Sequence, residues 1–148
     1  MTTILPALTI TSAIGTLTPG AVFQFRKNPG AAPRHLSIDA SFVYGGSGGT
    51  SVDAYVQTSF NGGETWVDIA EFHVTTASAE RLFNLSSLTP QTSQVTPTNG
   101  ALTANTAIDG LIGALLRVAY KSSGTYGGST TLQVDVDSND RLVAWPAE

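Results

Sequence analysis

Apolar and polar residues alternate with a period of two through most of this chain, and that pattern constrains the fold before anything else. In "HLSIDASFVY", Leu36, Ile38, Ala40, Phe42 and Tyr44 share one face, while Ser37, Asp39 and Ser41 share the other. In "SVDAYVQTS", Val52, Ala54 and Val56 oppose Asp53, Tyr55 and Gln57. "TTLQVDV" sets Leu132, Val134 and Val136 on its inward face. Successive side chains of a strand point to opposite sides of its sheet, so each run predicts a half-buried β-strand. "RLFNL" and "LLRVAY" add two more runs of strand length. "WVDIAEFHV" begins with Val67 and Ile69 on one face, but the phase slips near Ala70, and Phe72 and Val74 continue the apolar side. One extra residue in one strand, a β-bulge, produces such a slip.

Turn signals separate these runs: "NPGAAP", "GGSGG", "NGG", "TNG", "SSG" and "SND". Short strands joined by Gly-rich turns predict an all-β chain, folded as a single antiparallel β-sandwich or jelly roll over residues 1–148. "LTANTAIDGLIGAL", Leu102 to Leu115, breaks the pattern. Gly110 and Gly113 weaken a helix there, so it reads as a loop with at most one helical turn, lying across an open end of the sandwich. The polar stretch from Ser86 to Asn99 carries Pro90 and Pro97 and predicts an exposed loop over 86–101, where binding is expected. The N-terminal stretch "TTILPALTITSAIGTLTPG" is long and apolar. It predicts a core strand from about Leu8 to Leu17, preceded by an arm over 1–6 whose Ile4, Leu5 and Pro6 meet a partner.

Charged residues make up 12% of the chain, about half the usual share of roughly 25%, and Ser and Thr supply the polarity instead. Such a surface suits contact with other protein surfaces. The formal charge of -4 and the scattered Lys and Arg argue against nucleic acid as a partner. With no cysteine, disulfides, thiolate chemistry and zinc–cysteine sites are excluded. No run approaches the ~20 apolar residues of a membrane span, and "MTTILPALTI" lacks the basic region of a signal peptide. No membrane association and no cofactor are expected.

"SFNGGETW", Ser59 to Trp66, matches Ser-x-Asp-x-Gly-x-Thr-Trp with Asn61 in the Asp place, and so resembles the Asp-box hairpin of sialidases and other β-proteins. Asn61 can bond to amides across the turn, and Gly63 takes a positive φ without penalty. Ser59, Asn61, Gly63, Thr65 and Trp66 are therefore read as a hairpin lock, with Trp66 folding back as an apolar plug. The box is structural where it occurs, and it occurs once here, so no glycosidase is inferred.

Other candidate chemistry is thin. His35 and His73 are too few and too far apart in sequence for a zinc set, which takes three or four ligands. Asp135, Asp137 and Asn139 have the spacing that opens a calcium loop, but Asp140 and Pro146 stand where that loop needs Gly and Glu. They read as an outward strand edge closed by a turn, with a looser calcium site as the competing reading. Glu64, Asp68 and Glu71 are the nearest carboxylate group, and a bulge would align Asp68 with Glu71. Charged positions on an exposed strand face are the plainer reading. Tyr55, Tyr126 and Trp145 are the candidate rings for stacking on sugars.

"DAYVQTSFNGGETWVDIAEFHVTTASAERLFNLS" and "LLRVAYKSSGTYGGSTTLQVDV" together resemble small β-sandwich virion proteins of tailed bacteriophages and prophages, over roughly residues 36 to 136. That resemblance implies a non-enzymatic structural subunit of a virion, assembled in the host cytoplasm. It implies a head decoration or cement protein, or a neck or tail accessory, that is homo-oligomeric and bound to other virion proteins. A carbohydrate-binding module, borne on a virion or not, is the alternative.

Overall fold

A computed structural model describes residues 1–26 and 33–146. Among them the chain forms nine strands and no helix: β1 Thr2–Thr9, β2 Thr18–Arg26, β3 His35–Val43, β4 Ser51–Ser59, β5 Val67–Val74, β6 Ala79–Ser86, β7 Leu115–Ser123, β8 Thr131–Ser138 and β9 Arg141–Ala144. One sheet has the order β1-β8-β3-β6, the other β5-β4-β7-β2-β9. The first strand pairs with the eighth, the second with the seventh, the third with the sixth and the fourth with the fifth, all antiparallel. A long hairpin rolled up in this way is a jelly roll, and β9 adds one strand beside β2. The β-sandwich expected from the alternation is the fold found.

The core lies between the sheets, where the alternation placed it. Leu36, Ile38, Ala40 and Phe42 of β3 and Leu132, Val134 and Val136 of β8 face Val52, Ala54 and Val56 of β4 and Phe72 and Val74 of β5. The bulge is present in β5. The ladder passes from Val56–Ala70 to Gln57–Asp68, which makes Ile69 the extra residue. The turn expected at Asn28–Pro33 lies outside the described residues except for Pro33.

The N-terminus differs from expectation. Residues 1–6 are no free arm: β1 begins at Thr2 and pairs with β8. Ile4 is fully buried and Leu5 nearly so, and both belong to the core. Register shifts between Thr3 and Leu5 and between Leu5 and Leu8 let two adjacent residues turn inward. Burying both side chains in the chain's own core removes the apolar surface that a partner contact would need. Pro6 is exposed on the same strand. The strand expected over Leu8–Leu17 is also corrected. Only Leu8 and Thr9 belong to β1, and the chain then leaves the sheet, held by Ile10 N–H to the Thr130 carbonyl and Ile14 N–H to Ser122 Oγ.

One end of the sandwich is plugged by Tyr126, which is 1% exposed. Its ring meets the rings of Phe42 and Tyr44 edge-on, with centroids 5.9 and 6.1 Å away. Its hydroxyl donates to the Thr75 carbonyl at 2.7 Å. Gly49, at φ +78°, lets the backbone pass the ring; a Cβ there would lie 2.2 Å from it.

The stretch from Thr98 to Ile108 runs along the free edge of β5, not across an open end. Its backbone bonds join Asp68 N–H to Thr98 O, Glu71 N–H to Thr106 O and Ile108 N–H to Ile69 O, with a bridge between Ala70 and Ala107. An edge strand carries unpaired N–H and C=O groups, and this loop satisfies those of β5.

Candidate functional site

The outer face of the five-stranded sheet holds most of the polar side chains that sequence reasoning assigned to solvent. The bulge at Ile69 puts Asp68 opposite Gln57, and Glu71 pairs with Tyr55, two residues before Gln57 on β4. The loop at 98–106 then closes over them. Gln57, Asp68 and Glu71 are 0%, 0% and 1% exposed, so the reading of Asp68 and Glu71 as charges on an exposed face is overturned. Glu64 stays exposed on the hairpin and joins neither.

Asp68 is the anchor of that loop. One carboxylate oxygen, Oδ2, accepts from Thr98 Oγ1 at 2.8 Å and from the amides of Gly100, Ala101 and Leu102 at 2.8, 3.0 and 3.2 Å. Oδ1 accepts from Gln57 Nε2 at 2.8 Å. Gln57 in turn donates to Asn99 Oδ1 and accepts from Arg117 Nε at 2.9 Å. Every partner on Asp68 is a donor, so the buried carboxylate is held by dipoles converging on it.

Asp53, Glu71 and His73 make a second cluster on the same face. Asp53 and His73 oppose each other across the β4–β5 ladder, with Nδ1 2.6 Å from the Asp53 carboxylate. Glu71 Oε2 accepts from the Asn105 amide, and Asn105 Oδ1 accepts from His73 N–H. Asn105 has φ 56°, a left-handed conformation that Asn tolerates and that turns it toward both. Burial, with the neighbouring Asp53 adding to it, pushes the Glu71 carboxyl up to about 7, against the Asn105 bond. Tyr55 lies between the two clusters under Lys121, whose ammonium is 5.4 Å from the ring. Burial and then Asp53, Glu71 and Asp68 push its phenol up to about 12, so it stays neutral.

The long excursion leaving β6 is latched at its base by Asp109. Its carboxylate accepts from the Ser86 amide and from Thr89 Oγ1 at 2.6 and 2.8 Å, and from its own following amide on Gly110 at 2.9 Å. The Ser86 bond, first, then Thr89 and Gly110, hold the carboxyl below the usual carboxylate range despite an opposing desolvation. A depressed folded value means that the latch contributes fully above the unfolded carboxylate value, about pH 4, and is lost as pH falls through the folded value. Protection of the Ser86 and Gly110 amides, the intrinsic exchange rate at each pH divided by the observed rate, is therefore expected to fall on acidification below that point. Asp109→Asn removes the pH dependence of that protection; protection in the parent that ignores pH would contradict the latch. Pro90 and Pro97 are exposed on this excursion.

The hairpin lock is assembled: Ser59 Oγ accepts from Gly63 N–H at 2.9 Å and donates to Asn61 Oδ1 at 3.1 Å. Asn61 Oδ1 accepts from Thr65 N–H at 3.0 Å, and its Nδ2 donates to Thr65 Oγ1. Trp66 is half-buried outside the core, with the Arg117 guanidinium 4.1 Å from its ring centre, so it is a stacked surface ring and no core plug. Tyr55 and Tyr126 are 4% and 1% exposed and are not available to stack on a sugar. Trp145 is 39% exposed and is the one of the three left at the surface. The calcium candidates do not converge. Asp135 accepts from Thr3 and Gln133, Asp137 lies 3.6 Å from the N-terminal ammonium, and Asn139 bonds the His35 amide and the Pro33 carbonyl. His35 is exposed at the start of β3, apart from His73.

Sequence reasoning missed Asp53 as the partner of His73, and missed Asn99, Asn105 and Asp109 altogether. The signal for Asp53 was its place on the same strand face as Tyr55 and Gln57; the loop residues had none, because nothing local says which edge a loop will cover. Compared with known proteins, the chain matches no family model, no curated protein and no solved structure.

Proposed function

We propose that this chain is a structural subunit of a tailed-phage virion that works by contact with protein neighbours and performs no reaction of its own. The observation that carries the reading is the surface of β6 and its excursion. β6 bonds to β3 on one side and ends its sheet on the other. Leu82 on that strand is 68% exposed, and Leu88 just beyond it is 69% exposed, followed by the exposed Pro90 and Pro97. An open edge beside protruding apolar side chains favours strand addition or lattice contact. The other edges are blunted: β1 by Pro6 and two register shifts, β5 by the loop, β9 by its four residues. The buried carboxylates Asp68 and Glu71 are bonded to the loop backbone, which suits a rigid block. Jelly rolls serve in viral capsids and in lectins alike, so the fold by itself does not choose. The burial of Tyr55 and Tyr126 weighs against the sugar-binding alternative.

The test is co-purification. Particles from the source cells are banded on a density gradient and probed with antiserum to this chain. The expected result is that the chain bands with the particles and that Leu82→Asp with Leu88→Asp releases it. A chain that stays at the top of the gradient, and that retains glycans on an array through Trp145, would overturn the reading.

A further inference from the structure

We propose that Asp53, Glu71 and His73 form a binding site for one divalent transition-metal ion, zinc by its donor set, on the outer face of the five-stranded sheet. One donor atom from each of the three lies within 4.8 Å of the others. Donors around a zinc ion sit roughly 3–4 Å apart, so the cluster needs to contract by about an ångström.

A second observation is independent of that grouping. Glu71 is 1% exposed, and its Oε1 is buried with no hydrogen-bond partner, while Oε2 is occupied by Asn105. A buried carboxylate oxygen without a donor is costly, and here a second carboxylate, Asp53, stands beside it. Asp53 spends one oxygen on His73. Two acidic groups face each other with one oxygen unsatisfied, and the His73 imidazole, when protonated, is the one positive group paired with them. An ion neutralises the pair, satisfies Oε1 and displaces the protons held in the cluster. The mix of imidazole and carboxylate selects zinc-like ions over magnesium or calcium, which prefer oxygen alone.

The surroundings suit an ion that enters from solvent. The Asp53 and His73 side chains are 20% and 35% exposed, so the cluster opens outward on the His73 side, leaving room for a water as fourth ligand. A depression lined by His73, Val74, Ser78 and Arg81 adjoins the cluster at His73. Outside the ligands, Asn105 holds Glu71 and the His73 backbone together, which fixes their orientation. The ion would thus tighten the loop onto β5 from the opposite end to Asp68.

The experiment uses the whole chain, stripped with a chelator and returned to metal-free buffer at pH 7.5. Zinc chloride is then added, with magnesium and calcium chloride as controls. At about a hundredfold excess over the dissociation constant, zinc is expected to raise Tm by roughly 5–10 °C, and the controls to leave it unchanged. Glu71→Gln and His73→Ala abolish the rise, and His35→Ala retains it. In the unsubstituted protein, zinc shifts the imidazole NMR resonances of His73 and leaves those of His35 in place, a readout that does not depend on any variant folding. No zinc-dependent change in Tm together with unmoved His73 resonances would overturn the site and leave a shared proton between Glu71 and Asp53 as the occupant.

Discussion

Asp68→Ala is expected to lower unfolding stability by about 3–5 kcal/mol, since it removes several hydrogen bonds to a charged group, each worth about 1.5–3 kcal/mol, part of which the loop recovers in water. Five donors lose their acceptor at once: Gln57 Nε2, Thr98 Oγ1 and the amides of Gly100, Ala101 and Leu102. Each buried donor left unmade costs about 1–3 kcal/mol, so the full sum would exceed the stability of many domains. The loop relieves part of that by swinging into water. Detachment of the loop is therefore the second expected result, seen as faster hydrogen exchange over 98–106 and at the β5 amides of Asp68 and Glu71. Asp68→Asn keeps one acceptor oxygen and is expected to fall between the parent and the alanine variant. Urea unfolding measures the first effect. A loss within about 0.5 kcal/mol, the range for ordinary surface positions, would mean that Asp68 does not anchor the loop.

Tyr126→Ala is expected to cost a similar amount, about 3–5 kcal/mol, by emptying the plug at one end of the sandwich. The ring is enclosed by Phe42 and Tyr44 and by the backbone at Gly49, elements held apart by strand pairings, so the cavity cannot collapse. Tyr126→Phe keeps the ring and loses only the hydroxyl bond to Thr75, at about 1 kcal/mol. Gly49→Ala reaches the same result from the other side, since a Cβ there meets the ring and the backbone sits at a positive φ. Thermal unfolding of the three variants checks this. An alanine variant as stable as the parent would return Tyr126 to the surface and to the list of rings able to stack on a ligand.

The fold was legible because a jelly roll is built from a local signal. Period-two alternation in β3, β4 and β8 gave the inward residues directly, and the slip near Ala70 located the bulge. The hairpin at Ser59–Thr65 was legible for the same reason: all its bonds lie within four residues. What could not be read was long-range. Tyr55 and Gln57 occupy the polar side of their strand, and only a loop more than forty residues away in sequence turns that side into an interior. Tyr126 sits among glycines, a composition that reads as a surface turn, yet its ring is buried and the distant Gly49 lets the backbone pass it. Ile4 and Leu5 are adjacent and both apolar, which a strict alternation assigns to opposite faces; the register shifts of β1 bring both inward.

The cluster at His73 shows the same division. His73 was visible as one of two histidines with no third ligand in sequence reach. The partners come from across the β4–β5 ladder, where Asp53 lies opposite His73, and from Glu71 on its own strand. Strand pairing assembles such sets without leaving a spacing motif, so a search for motifs passes over them.

The proposal that this jelly roll is a building block of a particle is tested most directly by imaging the particle. Cryo-electron microscopy of virions from the source cells is expected to show a two-sheet density for this 148-residue chain at symmetry-repeated positions, with Leu82 and Leu88 buried against a neighbour. Complete particles in which no density fits the chain, or in which β6 and its excursion face open solvent at every copy, would contradict it.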